Sequence, residues 1–352
     1  MELRQLGFTE EIRNLIDPEG IELGRVVVEH RERYVLQSTE GTFNAEITGN
    51  LRFSAQSRRD FPAVGDWVKI AMMDTESAVI LEVLPRISTL ERQAVGQQGE
   101  TQIIATNIDY AFLVQATGHD FNLKRLERYL TICHASGIEP IILLTKIDLV
   151  EDQTVEELVN RLHQRVKDVP VVALSSETGA GFDQLEEIMQ PYRSYCFLGS
   201  SGVGKSTIVN RLKGEDVLKI SAISASTNKG RHTTSHRELI ILPNESIVID
   251  TPGMREVGMT DQAPGLERTY DDITELAQHC KFKDCTHIHE QGCAVIAAVN
   301  EGDISEEAYD NYLKLKREQE YFSSTVREKR QKSKAQGKLY KAIQNEKRKN
   351  KY

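Results

Sequence analysis

The 352-residue chain predicts a multidomain fold in three parts: an N-terminal β-barrel over 1–97, a central α/β sheet over 98–262 and a helical unit over 263–352. Three observations predict it. About five short strand-like runs, parted by charged or glycine turns, fill the barrel region; apolar strands alternate with helical stretches from near residue 100; and cysteines and histidine crowd between 280 and 293. At this length two or three domains are expected rather than one core.

The barrel runs are Arg25–Glu29, Tyr34–Leu36, Thr42–Ile47, Asp66–Ile70 and Ala78–Leu84, with turns such as Glu40-Gly41 and Gly65-Asp66 between them. Five short strands suit a small barrel. The OB-fold is the leading five-stranded arrangement, and an SH3-like barrel gives nearly the same pattern. Arg52, Arg58 and Arg59 lie where a loop could face RNA or simply water. Beyond Tyr110–Val114 the pattern changes, and helical stretches Leu123–Ser136 and Val155–Val166 alternate with strands, as in a parallel α/β sheet.

Within that sheet the apolar run Tyr195–Leu198 leads into Gly199, Ser200, Ser201, Gly202, Val203, Gly204, Lys205, Ser206 and Thr207, the order strand, glycine-rich turn, helix. Such a loop turns successive N–H groups toward one anion, and the helix adds its positive end. Lys205 would reach the β- and γ-phosphates and Ser206 would ligate Mg²⁺. A nucleoside triphosphate site is therefore expected. The loop Thr145, Lys146, Ile147, Asp148 follows the apolar strand from Ile141 and has the form of a guanine reader. Asp148 would accept from guanine N1–H and the exocyclic amine, a pairing adenine cannot offer, which speaks against a metabolic ATPase or kinase. The strand Val171–Leu174 ends in Ser175 and Ser176, whose loop would offer an N–H to guanine O6.

Downstream, the strand from Ile247 ends in Asp250-Thr251-Pro252-Gly253. Asp250 would hold Mg²⁺ through water and the Gly253 N–H would meet the γ-phosphate. Between this and the phosphate loop, Gly230-Arg231-His232-Thr233-Thr234 offers threonine hydroxyls to the nucleotide, with Thr234 assigned to the magnesium shell. All five elements of a GTPase are present in an altered order. The base-reading loops precede the phosphate loop, which marks a circular permutation; nearby domain termini make that compatible with an unchanged sheet. Where many GTPases place a water-orienting glutamine after D-x-x-G, this chain has Met254.

Cys280, Cys285, His287 and Cys293 supply three sulfurs and an imidazole within fourteen residues, the donor set of a closed structural zinc site, with His289 as an alternative fourth ligand. Cys133 and Cys196 fall in apolar patterns and read as buried small residues. An odd cysteine count favours reduced thiols over a disulfide. The sequence shows no membrane-spanning stretch and no secretory leader, so a cytoplasmic protein is expected. Net charge is −9, yet residues 327–352 hold eleven Lys/Arg against two Glu, leaving a strongly acidic body. A basic tail of this kind suits phosphate-backbone contact, and an acidic body limits indiscriminate adhesion to RNA.

The T-K-I-D, S-S-E-T-G, G-S-S-G-V-G-K-S-T, G-R-H-T-T and D-T-P-G-M-R-E segments, with the C-x4-C-x-H-x5-C cluster, together resemble the ribosome small-subunit-dependent GTPase A family, also called RsgA or YjeQ. The resemblance spans nearly the whole chain. It implies an OB-fold, a permuted GTPase and a zinc domain in one monomer that binds the 30S subunit and its 16S rRNA, hydrolyses GTP when the subunit stimulates it, and leaves during late 30S maturation. It nominates His232 as the catalytic residue, since an imidazole can orient water or accept its proton near neutral pH. Thr145 departs from the asparagine of many members and would weaken a bond to guanine N7. The rival reading is a GTP-regulated RNA-binding switch whose hydrolysis is incidental.

Overall fold

The computed structural model describes residues 1–16, 18–30, 33–93, 101–214, 237–250 and 263–323. Five strands form the barrel: β1 Glu22–His30, β2 Arg33–Ser38, β3 Thr42–Ile47, β4 Trp67–Met72 and β5 Ser77–Val83. Along β3 alternate residues are buried, so Phe43, Ala45 and Ile47 join Val26, Leu36, Val68 and Ile80 in the barrel core while Thr42, Asn44 and Glu46 face outward. A simple meander would pair β3 with β4. Here the connection carrying the helix Gly49–Ser54 takes β4 round to β1, and β5 pairs in parallel with β3, Ile47 opposite Ile80. That closure is the OB-fold, and it excludes the SH3-like alternative.

After the antiparallel ribbon β6 Thr89–Gln93 and β7 Thr101–Thr106 come the strands of the α/β sheet. These are β8 Tyr110–Ala116, β9 Glu139–Thr145, β10 Val171–Leu174, β11 Ser194–Leu198, β12 Glu238–Ile241 and β13 Ile247–Asp250. Their order is β10-β9-β8-β11-β13-β12, and all neighbours are parallel except β12 against β13. Period-two alternation sends Ala111 and Leu113 to the face covered by the helix Leu123–Ser136, and Phe112, Val114 and Ala116 to the face covered by helices Phe182–Ile188 and Lys205–Lys213. The chain runs outward through β8, β9 and β10, then crosses back to β11 on the other side of β8. Such a reversal opens a ligand crevice at the carboxyl ends of the strands. This order fits the expected permutation, with the strand that leads into Gly199 placed centrally although it is the fourth of these six in the chain.

Because β12 also pairs with β1 at Val28 and Glu238, the barrel and the α/β strands form one eleven-stranded sheet among the described residues. Arg25, fully buried, spans this junction. Its guanidinium donates to the carbonyls of Leu6, Gly65 (3.3 Å) and Asn107 (3.1 Å) and to Ser194 Oγ (2.9 Å) at the start of β11. Burial lowers its pKa to about 10, opposed by the fields of Asp109 and Asp66.

Four helices form the last unit: Ala263–Thr269, Asp271–Ala277, Ala294–Glu301 and Glu306–Ser323. Their core holds Leu266, Tyr270, Ile273, Val295 and Leu315. Gly265 lets the first helix lie directly on Leu123–Ser136, since a Cβ there would sit 2.1 Å from Thr131 O.

Arg25→Ala is expected to destabilise the chain by about 3–5 kcal/mol, because four acceptors at the junction lose their buried partner. Chemical denaturation followed by circular dichroism measures it; a loss below about 1 kcal/mol would show that the junction does not depend on the guanidinium.

Candidate functional site

β11 is buried along its whole length and delivers Gly199 to the middle of the carboxyl edge. A Cβ at Gly199 would lie 2.6 Å from Val114 O, so only glycine allows the loop to leave β11 this close to β8. Gly202 and Gly204 have φ of 83° and 103°, left-handed values that let the loop curl back onto its helix. Val203, buried, anchors the loop in the core, while Ser201, Gly202, Ser206 and Thr207 are exposed. The helix Lys205–Lys213 has no side-chain cap, which leaves its first N–H groups for an anion. Lys205 lies back over the loop, its Nζ donating to Gly199 O and Ser200 O at 2.6 Å each. At the end of β13, burial raises the Asp250 carboxyl above the usual range, countered by Lys213 and Lys205.

The base-side loops stand at the same edge, after β9 and β10. Lys146 adopts a left-handed φ of 60° and its carbonyl accepts from Thr117 Oγ at 2.7 Å, which turns the chain into the short helix Ile147–Leu149 that carries Asp148. Ser175, fully buried, donates to the Asp148 carboxylate and accepts from the N–H groups of Glu177 (3.2 Å) and Thr178 (3.1 Å). Ser175 thus fixes the carboxylate. The Ser176 carbonyl accepts from Arg211 of the phosphate-loop helix at 2.8 Å, and that guanidinium rests 4.5 Å above the Phe182 ring. Thr145 differs from its expected place on the base edge. Only 2% exposed, its hydroxyl donates to Val203 O at 2.7 Å, so the short side chain ties the base-side loop to the phosphate loop.

The structure therefore brings Thr145–Asp148, Ser175, Ser176, Gly199–Thr207 and Asp250 to one edge. His232, Thr233, Thr234, Gly253, Met254 and the basic stretch 327–352 lie outside the described residues. Arg52, Arg58 and Arg59 are all exposed on the barrel, Arg59 pairing with Glu91 at 2.6 Å. Sequence reading missed Arg125, whose Nη1 donates to Ser200 Oγ at 2.8 Å. The available signal was a basic residue in the first turn of a helix, where the dipole favours acids.

Ligand atoms of Cys280, Cys285, His287 and Cys293 lie within 4.8 Å of one another, and His289 stands apart and exposed. Cys280 Sγ and Cys293 Sγ are 3.8 Å apart, and His287 Nδ1 is 3.6 and 3.5 Å from them. A tetrahedron with Zn–S spokes of about 2.3 Å has edges of about 3.8 Å, so the donors fit that ion. The loop is shaped for it. Glu290 accepts from the Thr286 hydroxyl and from the N–H groups of Thr286, Ile288 and His289, and the Thr286 hydroxyl first, then the N–H of Thr286, hold its carboxyl far below the usual range. Tyr309 donates to the carbonyl of His287, itself at a left-handed φ of 63°. Cys293 caps the helix Ala294–Glu301 by accepting from Ile296 N–H. All five cysteines are free thiols.

A family model described as RsgA GTPase matches residues 83–260. The chain is 45% identical to the small ribosomal subunit biogenesis GTPase RsgA 2 of Lactiplantibacillus plantarum, over 91% of this chain and 90% of the relative. It is 41% identical to the RsgA of Methanosarcina acetivorans, over 88% and 83% respectively. Among solved structures it resembles YjeQ from Thermotoga maritima with a TM-score of 0.62 and 26% identity, over 85% of this chain and 98% of that one. YloQ, described as a circularly permuted GTPase, matches with a TM-score of 0.62 and 25% identity, over 88% and 99%.

Cys285→Ser should remove one corner of the cluster and lower the metal content of the purified protein, which elemental analysis measures against one ion per native chain. Equal metal content in the two proteins would exclude Cys285 as a ligand.

Proposed function

The chain belongs to the RsgA GTPase family, and on that premise we propose that it binds and hydrolyses GTP in late maturation of the small (30S) ribosomal subunit, is stimulated by that subunit, and then dissociates. One observation carries the nucleotide reading: a phosphate loop and a guanine-type carboxylate stand at one sheet edge, joined by the Thr145–Val203 and Arg211–Ser176 hydrogen bonds. The N–H groups of Gly199–Thr207 and the Lys205 ammonium would hold the phosphates, and Asp148, oriented by Ser175, would select guanine. Ser206, Asp250 and Thr234 would hold Mg²⁺, which when bound neutralises charge on the β- and γ-phosphates. Gly253 and Thr233 would meet the γ-phosphate side, and His232 would orient the attacking water.

The division into an OB-fold over 1–97, a GTPase over 98–262 and a zinc-binding unit with a basic tail over 263–352 belongs to the same proposal. Cys280, Cys285, His287 and Cys293 would hold one structural zinc ion as its four ligands, leaving no position for catalysis. The exposed arginines of the barrel and the basic tail would contact 16S rRNA, and the protein would act as a cytoplasmic monomer.

Phosphate release from GTP, measured with and without purified 30S subunits, tests the proposal. Acceleration by the subunit is expected; incidental, unstimulated turnover would favour a GTP-regulated RNA-binding switch. Lys205→Ala should abolish or greatly weaken nucleotide binding with the metal still bound, and unchanged GTP affinity would remove the phosphate-loop assignment. The 30S affinity should be higher with a non-hydrolysable GTP analogue than with GDP, by a coupling of about 1–3 kcal/mol. Equal affinities would refute that coupling.

A further inference from the structure

The helix Leu123–Ser136 starts at the carboxyl edge of the sheet, directly after β8, and its first turn carries Lys124 and Arg125 without an acid. Lys124 pairs with Glu307 at 3.8 Å, but the positive end of a helix dipole disfavours cations there, so local helix stability does not account for Arg125. Arg125 is half-buried, bonds Ser200 Oγ at 2.8 Å, and has no carboxylate partner among the described residues. Lys205 reaches the same residue from the other side through Ser200 O. Two cations from two elements thus meet on one residue of the phosphate loop.

Behind them lies Gln115, 2% exposed, on the strand face that Ala111 and Leu113 share and that packs on this helix. Its Oε1 accepts from Asn122 N–H at 3.1 Å, and Asn122 in turn caps the helix through Arg125 N–H at 2.9 Å. Gln115 Nε2 is buried and has no acceptor among the described residues. Donors and positive charge are therefore in surplus at this corner, and a buried surplus of that kind is satisfied by an anion with several oxygens.

We propose that Arg125 is a further catalytic residue of the GTPase site: an arginine supplied in cis that leaves Ser200 to contact the γ-phosphate oxygens as charge gathers on them. The proposal rests on the GTP-hydrolysing reading above. In that reaction a water oxygen bonds to the γ-phosphorus while the bond to the β–γ bridging oxygen breaks. The bridging electron pair departs on GDP, and the water proton leaves to the medium or with the inorganic phosphate. Arg125 gives up no proton. Its forked donors would stabilise the three equatorial oxygens, the part an arginine plays in other phosphoryl transfers.

The test uses the full chain, with steady-state GTP turnover and with binding of GDP alone and of GDP with aluminium fluoride, a mimic of the transferring phosphoryl group. Arg125→Gln should lower kcat by at least about tenfold and lose the aluminium fluoride complex, while GDP binding, which also reports folding, stays near native. Arg125→Lys should recover part of kcat. Native kcat in Arg125→Gln, or an aluminium fluoride complex that forms in Arg125→Gln as tightly as in the native chain, would overturn the catalytic role and leave the GTPase reading standing. Absence of GTP turnover in the native chain would overturn both.

Discussion

One buried cation holds the barrel and the α/β strands in one frame. Arg25 has no carboxylate in direct contact among the described residues and meets its donors' demand with three carbonyls and one hydroxyl drawn from four separate stretches of chain. Burying a guanidinium is tolerable only when such a set is complete, so the four stretches must be in place together. Trp67 extends the constraint, its ring 5.6 Å from the guanidinium and itself packed edge-on against Phe8. Since Ser194 opens β11, the strand that delivers the phosphate loop is registered against the barrel before it reaches the site. The β1–β12 pairing repeats that registration one strand further along.

On the opposite flank the helix Leu123–Ser136 carries a comparable load. Its Glu127, 3% exposed, accepts from Arg165 Nε and from Asn311 Nδ2, each at 2.6 Å, and Asn311 also donates to Tyr270 OH at 3.0 Å. Arg128 pairs with Glu318 at 2.8 Å. Asn311, Tyr270 and Glu318 come from the helical unit that carries the Cys280–Cys293 cluster and Arg165 from the helix Asp152–Arg165, so both brace this helix while its first turn touches the phosphate loop. Burial and the neighbouring Glu127 push the Tyr270 hydroxyl well up, keeping it a neutral partner of the network. Residues 280–293 are therefore linked to the phosphate-loop edge through packed helices.

What the sequence made legible was local. Alternation located β3 to the residue, the strand–turn–helix order located Gly199–Thr207, and the tight spacing of Cys280, Cys285, His287 and Cys293 pointed to side chains that do cluster. What it hid depends on contacts between distant segments. The OB-fold differs from its SH3-like rival in the parallel pairing of β3 with β5, which no strand pattern encodes. Arg25 reads as one more charge in an apolar run until the carbonyl of Asn107 and the hydroxyl of Ser194 are brought to it. Thr145 reads as a base contact because it stands in a motif of guanine-reading form; only the approach of Val203 shows that its hydroxyl is already engaged.

The permutation gives this arrangement a mechanical meaning. In this chain order β13 is the last strand, and the described chain resumes at Ala263, where Gly265 lies against the helix Leu123–Ser136. The described residues before 251–262 thus belong to the sheet, and those after it to the helical unit. The stretch 215–236 ends at Arg237, which pairs with Glu29 of β1 at 3.6 Å and donates to Ile103 O at 2.9 Å, before β12 joins the barrel. The described residues that flank the two γ-phosphate segments of the GTPase reading are thus fixed to different units outside the parallel sheet, Arg237 to the barrel side and Gly265 to the helical unit.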